Sequence, residues 1–379
     1  MNSDLAFATR SGSDDRRQRE RELTQRRRSL RRKRLLASGA LAIVAAAVAV
    51  IVAQAGGGPS RGHATPVSAT RSRQQPTSSS RAPAPPAESA QRPSSFAVGL
   101  RVLRLVDTSR TITLADGTSE PRTLVTFVRY PALGAVGDTD VANAPAATAD
   151  GPFPLVIFGH GFAVTPGLYA HLLQAWARAG YVVAAPLFPL ENADAPGGPD
   201  ESDLTNQPAD MSFVISQMLA ANAASASTLH GLISPAQIAV SGHSDGGDTA
   251  LAVAYDVRFR DSRVGAAVIL SGAEIPGTEG FAFPAGGPPL LATQGTADTI
   301  NLPSATNVFF EAASRPKYLL SLLGAEHLPP YSTQQPQLGI VERTSIAFLD
   351  AYLKHTPRAR ARLLAAGNVP EAATLVADP

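Results

Sequence analysis

The chain has 379 residues, 44% of them hydrophobic, no cysteine and a formal net charge of +2. That is enough apolar material for a large core, while the missing cysteine excludes disulfides, a thiolate nucleophile, Cys-based zinc sites and lipid attachment through Cys. Residues 1–34 hold 12 Lys and Arg against 5 Asp and Glu, a net +7 that leaves −5 on the remainder. The basic balance therefore belongs to a tail, and no nucleic-acid partner is expected.

In chain order, that basic tail (1–34) ends in "RRRSLRRKR", and residues 35–55, "LLASGALAIVAAAVAVIVAQA", follow without a charge. At 1.5 Å per residue, such a helix spans the ~30 Å hydrocarbon core. The basic block before it predicts a single-pass signal-anchor with the tail in the cytoplasm and the remainder on the extracytoplasmic side. Ala53-Gln54-Ala55 also fits a small-x-small cleavage site, which would give a secreted product instead. Residues 56–95 contain 7 Pro, 9 Ser and 4 Gly and almost nothing apolar larger than Ala and Val. Such a segment buries too little surface to offset its ordering entropy, so a disordered spacer is expected.

A folded domain is expected over residues 96–379. "FAVGLRVLRLVD", "TITLAD" and "RTLVTFVRYP" alternate apolar and polar residues between turn signals, which predicts antiparallel opening strands. Short apolar strands then alternate with helical stretches. "PLVIFGH" precedes the helix "PGLYAHLLQAWARAG", "YVVAAPL" precedes "PADMSFVISQMLAANA", and "QIAVSGH" precedes a helix opening near Ser244. "GAAVILSG", "PPLLATQG" and "KYLLSLLG" read as further strands, the last two separated by a helix over 306–313, and a helix over 337–355 closes the pattern. This alternation implies an α/β fold: a mainly parallel central sheet covered by helices on both faces.

"GHSDG" fits Gly-x-Ser-x-Gly at Gly242, Ser244 and Gly246. Between a strand and a helix, that pattern describes a strained turn that exposes a serine while small neighbours let the backbones approach, so Ser244 is the candidate nucleophile. A serine nucleophile needs a base, and the base an orienting acid. Among the histidines, His63 lies in the spacer, His171 within a helix and His355 at a helix end, while His160 and His243 belong to glycine turns. His327, in the loop "GAEHLPPY" after a strand, is the candidate base. Asp298, in the tight loop "GTADTI" after another strand, is the candidate acid, with Glu274 in reserve; both loops fall at the carboxyl edge of the sheet, where ligand sites gather. The turn "FGHGF" offers the backbone N–H of Phe162, which with that of Asp245 would make an oxyanion hole. It is not a dinucleotide turn, because Val164 stands where the third glycine is required.

On these residues the chain resembles α/β-hydrolases of the dienelactone-hydrolase and platelet-activating-factor acetylhydrolase-like branch, over most of 97–355. "GHSDGG" resembles the family's nucleophile elbow, "GTADTI" its acid turn, "GAEHL" its histidine loop, "FGHGF" its oxyanion loop, and "NQPADMSFVI" a helix start common in that branch. Dienelactone hydrolases proper use cysteine. The resemblance with serine in that place implies an esterase or lipase-like hydrolase of carboxylic esters, small or polymeric. Acyl transfer by the same triad, or a catalytically silent tethered binding module, are the alternatives. Neither a metal nor an organic cofactor is expected, since the chain has no HExxH and no phosphate loop. Only 16 residues, Ala273 to Pro288, separate two strands, so little room for a helical lid is expected, with the loop from Phe188 to Gln207 as one wall of an open cleft.

Overall fold

The computed structural model describes residues 95–275, 281 and 283–379. The predicted tail, membrane span and all but the last residue of the predicted spacer lie outside the described residues. The described chain forms one ten-stranded mixed sheet: β1 (Ala97–Thr113), β2 (Ser119–Ala132), β3 (Val141–Ala142), β4 (Phe153–Gly159), β5 (Val182–Leu187), β6 (Ile233–His243), β7 (Val264–Leu270), β8 (Leu290–Gly295), β9 (Lys317–Leu322) and β10 (Ala373–Asp378). Seven α-helices accompany it: α1 (Ala170–Arg178), α2 (Gln207–Ala223), α3 (Asp245–Tyr255), α4 (Pro303–Ala312), the one-turn α5 (Pro329–Ser332), α6 (Gln337–Tyr352) and α7 (Ala359–Gly367). Among the described residues, no helix is long and apolar enough to cross a membrane.

Across the sheet the strands run β10-β9-β8-β7-β6-β4-β5-β2-β1-β3. β5, β4, β6, β7, β8 and β9 are mutually parallel. β1, β2 and β5 pair antiparallel at one side, and β10 pairs antiparallel with β9 at the other. The chain leaves β4 toward β5 and then returns to lay β6 on β4's other side, so the order reverses at β4 and β6. A crevice opens beyond the strand ends at such a switch point, and Ser244 follows β6 there.

The parallel strands form because they are apolar on both faces. Along β4, Leu155 and Ile157 pack with α2, α3 and α4, whereas Val156 and Phe158 pack with α1, α6 and α7. That alternation splits the core into two layers with the sheet between them. Trp176 of α1 illustrates the second layer: it is wholly buried, and its indole N–H donates to Ser345 Oγ of α6 at 2.8 Å.

Three features differ from the sequence expectation. The strands expected separately over "FAVGLRVLRLVD" and "TITLAD" are one strand, β1, because the polar "DTSR" is absorbed as an irregularity between Asp107 and Thr111. There Asp107 Oδ1 accepts the backbone N–H and the hydroxyl of Ser109 at 3.0 and 2.6 Å, satisfying the groups that leave the ladder. The helix expected over 337–355 ends at Tyr352. It also does not close the domain, since α7 and the edge strand β10 follow it and cover β9.

Candidate active site

Ser244 lies between β6 and α3 with φ +54° and ψ −125°, a region that costs an L-residue of the order of 1–3 kcal/mol. Its neighbours show why only glycine fits around it. A Cβ on Gly242 would overlap the carbonyl of Gly246, and one on Gly246 would overlap the carbonyl of Gly159 on β4. The turn is pinned at both ends: Ser244 N–H donates to Leu270 O at 3.1 Å, and Ser244 O accepts from Asp248 N–H at 2.9 Å as the first bond of α3.

The loops after β8 and β9 reach this serine. His327 Nε2 lies 2.9 Å from Ser244 Oγ, and His327 Nδ1 lies 2.7 Å from Asp298 Oδ2. Asp298 is 2% exposed. Its second oxygen accepts the backbone N–H groups of Ile300 and Asn301 at 2.8 and 3.0 Å, and Gln294 Nε2 donates to Oδ2 at 3.2 Å. An ionised carboxylate only accepts, so the imidazole proton resides on Nδ1 and Nε2 is left to accept from the Ser244 hydroxyl. Ser244, His327 and Asp298 are therefore brought together in one hydrogen-bonded line. His327 Nδ1 pairs with Asp298 and not with Glu274, the reserve acid, whose pKa burial and the nearby Asp256 raise above the ordinary value.

The turn after β4 faces the same serine, for a Cβ on Gly161 would stand 3.1 Å from Ser244 Cβ. Its amides are divided. Gly161 N–H donates to Tyr169 Oη at 3.3 Å and Ala163 N–H donates to Glu191 O at 2.9 Å. Among the described residues, none accepts the N–H of Phe162 between them. Asp245 opens α3, at the helix end where N–H groups have no carbonyl one turn earlier and carry partial positive charge.

Behind this surface is a buried polar shell that sequence reasoning missed. His160 Nδ1 donates to Gly161 O at 2.8 Å and Nε2 accepts from Phe188 N–H at 3.0 Å; burial pushes its pKa down to about 4. His243 Nε2 lies 2.8 Å from His327 O and Nδ1 lies 2.8 Å from Tyr169 Oη; burial and the neighbouring His327 hold it well below the ordinary histidine value. Glu191 is fully buried, and burial together with the hydrogen-bonded Asp245 raises its carboxyl well above the ordinary range. Gln207 Nε2 donates to Glu191, and Thr249 Oγ1 donates to Gln207 Oε1 at 2.9 Å. In the sequence both histidines read as parts of glycine turns, and no motif spacing links them to Tyr169 or Phe188. Among the described residues, no cluster of three or more His, Cys, Asp or Glu side chains is arranged to hold a metal ion.

A family model described as chlorophyllase matches residues 141–271, a stretch that includes Ser244 and stops before Asp298 and His327. No curated protein matches the chain. Among solved structures, a ferulic acid esterase from Streptomyces cinnamoneus is similar, with a TM-score of 0.53 and 22% identity over 72% of this chain and 93% of that one. The family model spans the strands on either side of the serine turn, and the structural likeness shows that the chain shares the α/β fold of that esterase.

Proposed function

We propose that the protein is a serine hydrolase of carboxylic esters. Ser244 Oγ attacks the acyl carbon while its proton passes to His327 Nε2, and Asp298 holds the imidazole in the working tautomer. The amides of Phe162 and Asp245 receive the oxyanion of the tetrahedral intermediate, a contribution of roughly 3–4 kcal/mol for one such donor. The proton on His327 goes to the departing alkoxide, releasing the alcohol. Water then attacks the acyl-enzyme with His327 as base, releasing the acid and restoring Ser244. The observation that carries this reading is the continuous line Ser244 Oγ to His327 Nε2 (2.9 Å) and His327 Nδ1 to Asp298 Oδ2 (2.7 Å) beside a strained turn. The chlorophyllase family model and the ferulic acid esterase likeness support ester chemistry independently.

The same proposal places the enzyme on the extracytoplasmic side of a membrane, held by residues 35–55, with a spacer over 56–95. Small soluble esters, or ester groups exposed on a polymer, are the expected substrates, because the 16 residues from Ala273 to Pro288 leave little room for a helical lid.

The test is hydrolysis of p-nitrophenyl acetate, butyrate and palmitate by the full-length protein in detergent, beside Ser244→Ala, with a serine-directed fluorophosphonate probe. Turnover and labelling by the wild type, both lost in the variant, are expected. A folded wild type that neither turns over nor labels would overturn the proposal.

A further inference from the structure

His243 is completely enclosed, and the acyl-transfer steps above give it no part. Its ring centroid lies 4.6 Å from that of His327, 5.0 Å from that of Tyr331 and 5.5 Å from that of Tyr169. The polarity of its hydrogen bonds is fixed by the groups at the two ends. The backbone oxygen of His327 only accepts, so His243 Nε2 carries the proton and donates to it at 2.8 Å. In a neutral imidazole Nδ1 then accepts, and the Tyr169 hydroxyl donates to it at 2.8 Å. The Tyr169 oxygen in turn accepts from Gly161 N–H at 3.3 Å. A reversed line is impossible, because neither Gly161 N–H can accept nor the His327 carbonyl donate.

This line joins the two halves of the site. One end fixes Gly161, whose neighbour Phe162 is the proposed oxyanion donor. The other end fixes the backbone of His327, the proposed base. His243 itself adjoins Ser244, so three parts of the machinery from three separate segments are referred to one side chain.

We propose that His243 is a positioning residue that holds the His327 loop and the Gly161–Phe162 turn in register around Ser244. The inference rests on the triad reading of the preceding subsection. It makes a specific distinction between two amides. In His243→Gln the amide nitrogen stands near the place of Nε2, which keeps the donor to His327 O and gives up Tyr169. In His243→Asn the side-chain oxygen stands near the place of Nδ1, which keeps Tyr169 and gives up His327. His243→Leu gives up both, and Tyr169→Phe removes only the hydroxyl in the middle.

The experiment measures kcat and KM for p-nitrophenyl butyrate against pH, fluorophosphonate labelling rate and melting temperature, on full-length wild type and these four variants. A misplacement of about 1 Å costs on the order of 100-fold in rate, so His243→Leu and His243→Asn are expected to lose about that in kcat. KM should change by less than about threefold, because the line touches no substrate. His243→Gln should recover at least about tenfold of the loss, and Tyr169→Phe should lose about tenfold. The acidic limb of the kcat/KM profile should move in the Asn variant and not in the Gln variant, since only the former frees the base. If the Leu variant does not fold, the Gln against Asn comparison and Tyr169→Phe carry the test alone. Folded Gln and Asn variants with equal activity, or a folded Leu variant within threefold of wild type, would reduce His243 to packing. Loss of turnover and labelling in Ser244→Ala, seen beside such a result, would leave the triad reading standing while this inference fails.

Discussion

Replacing Asp298 by Asn tests the acid's role through geometry, since the side chain keeps its shape and loses only its charge and one acceptor. Oδ1 of Asp298 receives two backbone N–H groups, from Ile300 at 2.8 Å and Asn301 at 3.0 Å. The carbonyl oxygen of an asparagine must stay there, because the opposite flip would aim an NH2 at two donors. The NH2 is thereby forced toward His327 Nδ1 and toward Gln294 Nε2, which now stands 3.2 Å from Oδ2. An amide that donates to Nδ1 selects the tautomer with the proton on Nε2, which cannot accept the Ser244 proton. Loss of the working tautomer in such a line costs kcat about 10⁴-fold, or about 5.4 kcal/mol of transition-state stabilisation. The assay is kcat for p-nitrophenyl butyrate, with melting temperature as the control for folding. A folded Asp298→Asn protein within tenfold of wild type would refute the reasoning, and a search for the acid would return to Glu274.

Gly246→Ala drives a Cβ into the Gly159 carbonyl; overpacking of this kind costs about 1–3 kcal/mol or more, and a lowered melting temperature together with lost fluorophosphonate labelling is expected. Arg122 donates to Asp203 at 2.9 and 2.6 Å and to Asp210 twice at 2.6 Å, all three side chains being buried. Arg122→Met removes the buried guanidinium that the two carboxylates share, leaving Asp210 with Arg110 and Asp203 with the Asn206 amide, both at 2.8 Å, and should reduce the free energy of urea unfolding by about 3 kcal/mol. For acid stability, His160 has its pKa lowered from 6.5 to about 4 in the folded state. The unfolded chain therefore binds this proton first. Stability is fully present above about pH 6.5 and falls as pH drops toward 4, by up to about 3 kcal/mol. His160→Gln, which keeps an acceptor for Phe188 N–H, should flatten that part of a melting temperature against pH curve; an unchanged slope would remove His160 as its source.

What the sequence made legible follows from which constraints are local. The parallel strands could be read because two-sided burial demands an unbroken apolar run, as in "PLVIFGH" and "QIAVSGH". Gly242 could be read because its reason is steric and local, the carbonyl of Gly246 four residues on; Gly246 could be read only through the motif, since the carbonyl it must clear belongs to Gly159 on β4. Asp298 and His327 could be read because each follows a strand by a few residues at one edge of the sheet. The terminal α7 and β10 could not. α7 begins "ARARLLAAG" with alternating arginines, and only Ala359, Leu363 and Gly367 are buried, too sparse a set to announce a face. β10 buries Ala373 and Leu375 alone, as expected of an edge strand. The shell behind the serine was illegible for another reason. Tyr169 and His243 are 74 residues apart, and His160 and Phe188 are 28 apart. Such pairs exist only once the order of strands is fixed, and no spacing rule anticipates them.

The same shell explains how a strained serine is retained. The φ of +54° at Ser244 persists because Leu270 O and Asp248 N–H hold its backbone, while Gly159, Gly242 and Gly246 approach one another closely enough to leave no room for a side chain on Gly242 or Gly246. The residues on either side of the serine then extend that constraint outward. Through His243 the elbow reaches the loop after β9 and, by way of Tyr169, the turn after β4. Through Asp245 it meets Glu191, whose own carbonyl accepts Ala163 N–H and whose loop continues to Asp203 and its buried bridge with Arg122 of β2. One turn at the switch point thus refers both halves of the sheet to a single atom, Ser244 Oγ. Strain at such a point does not relax piecemeal, because release of the serine requires several buried hydrogen bonds to break together. That cooperativity makes the geometry a property of the folded unit as a whole, and it is why substitutions that leave Ser244, His327 and Asp298 untouched are expected to register in kcat.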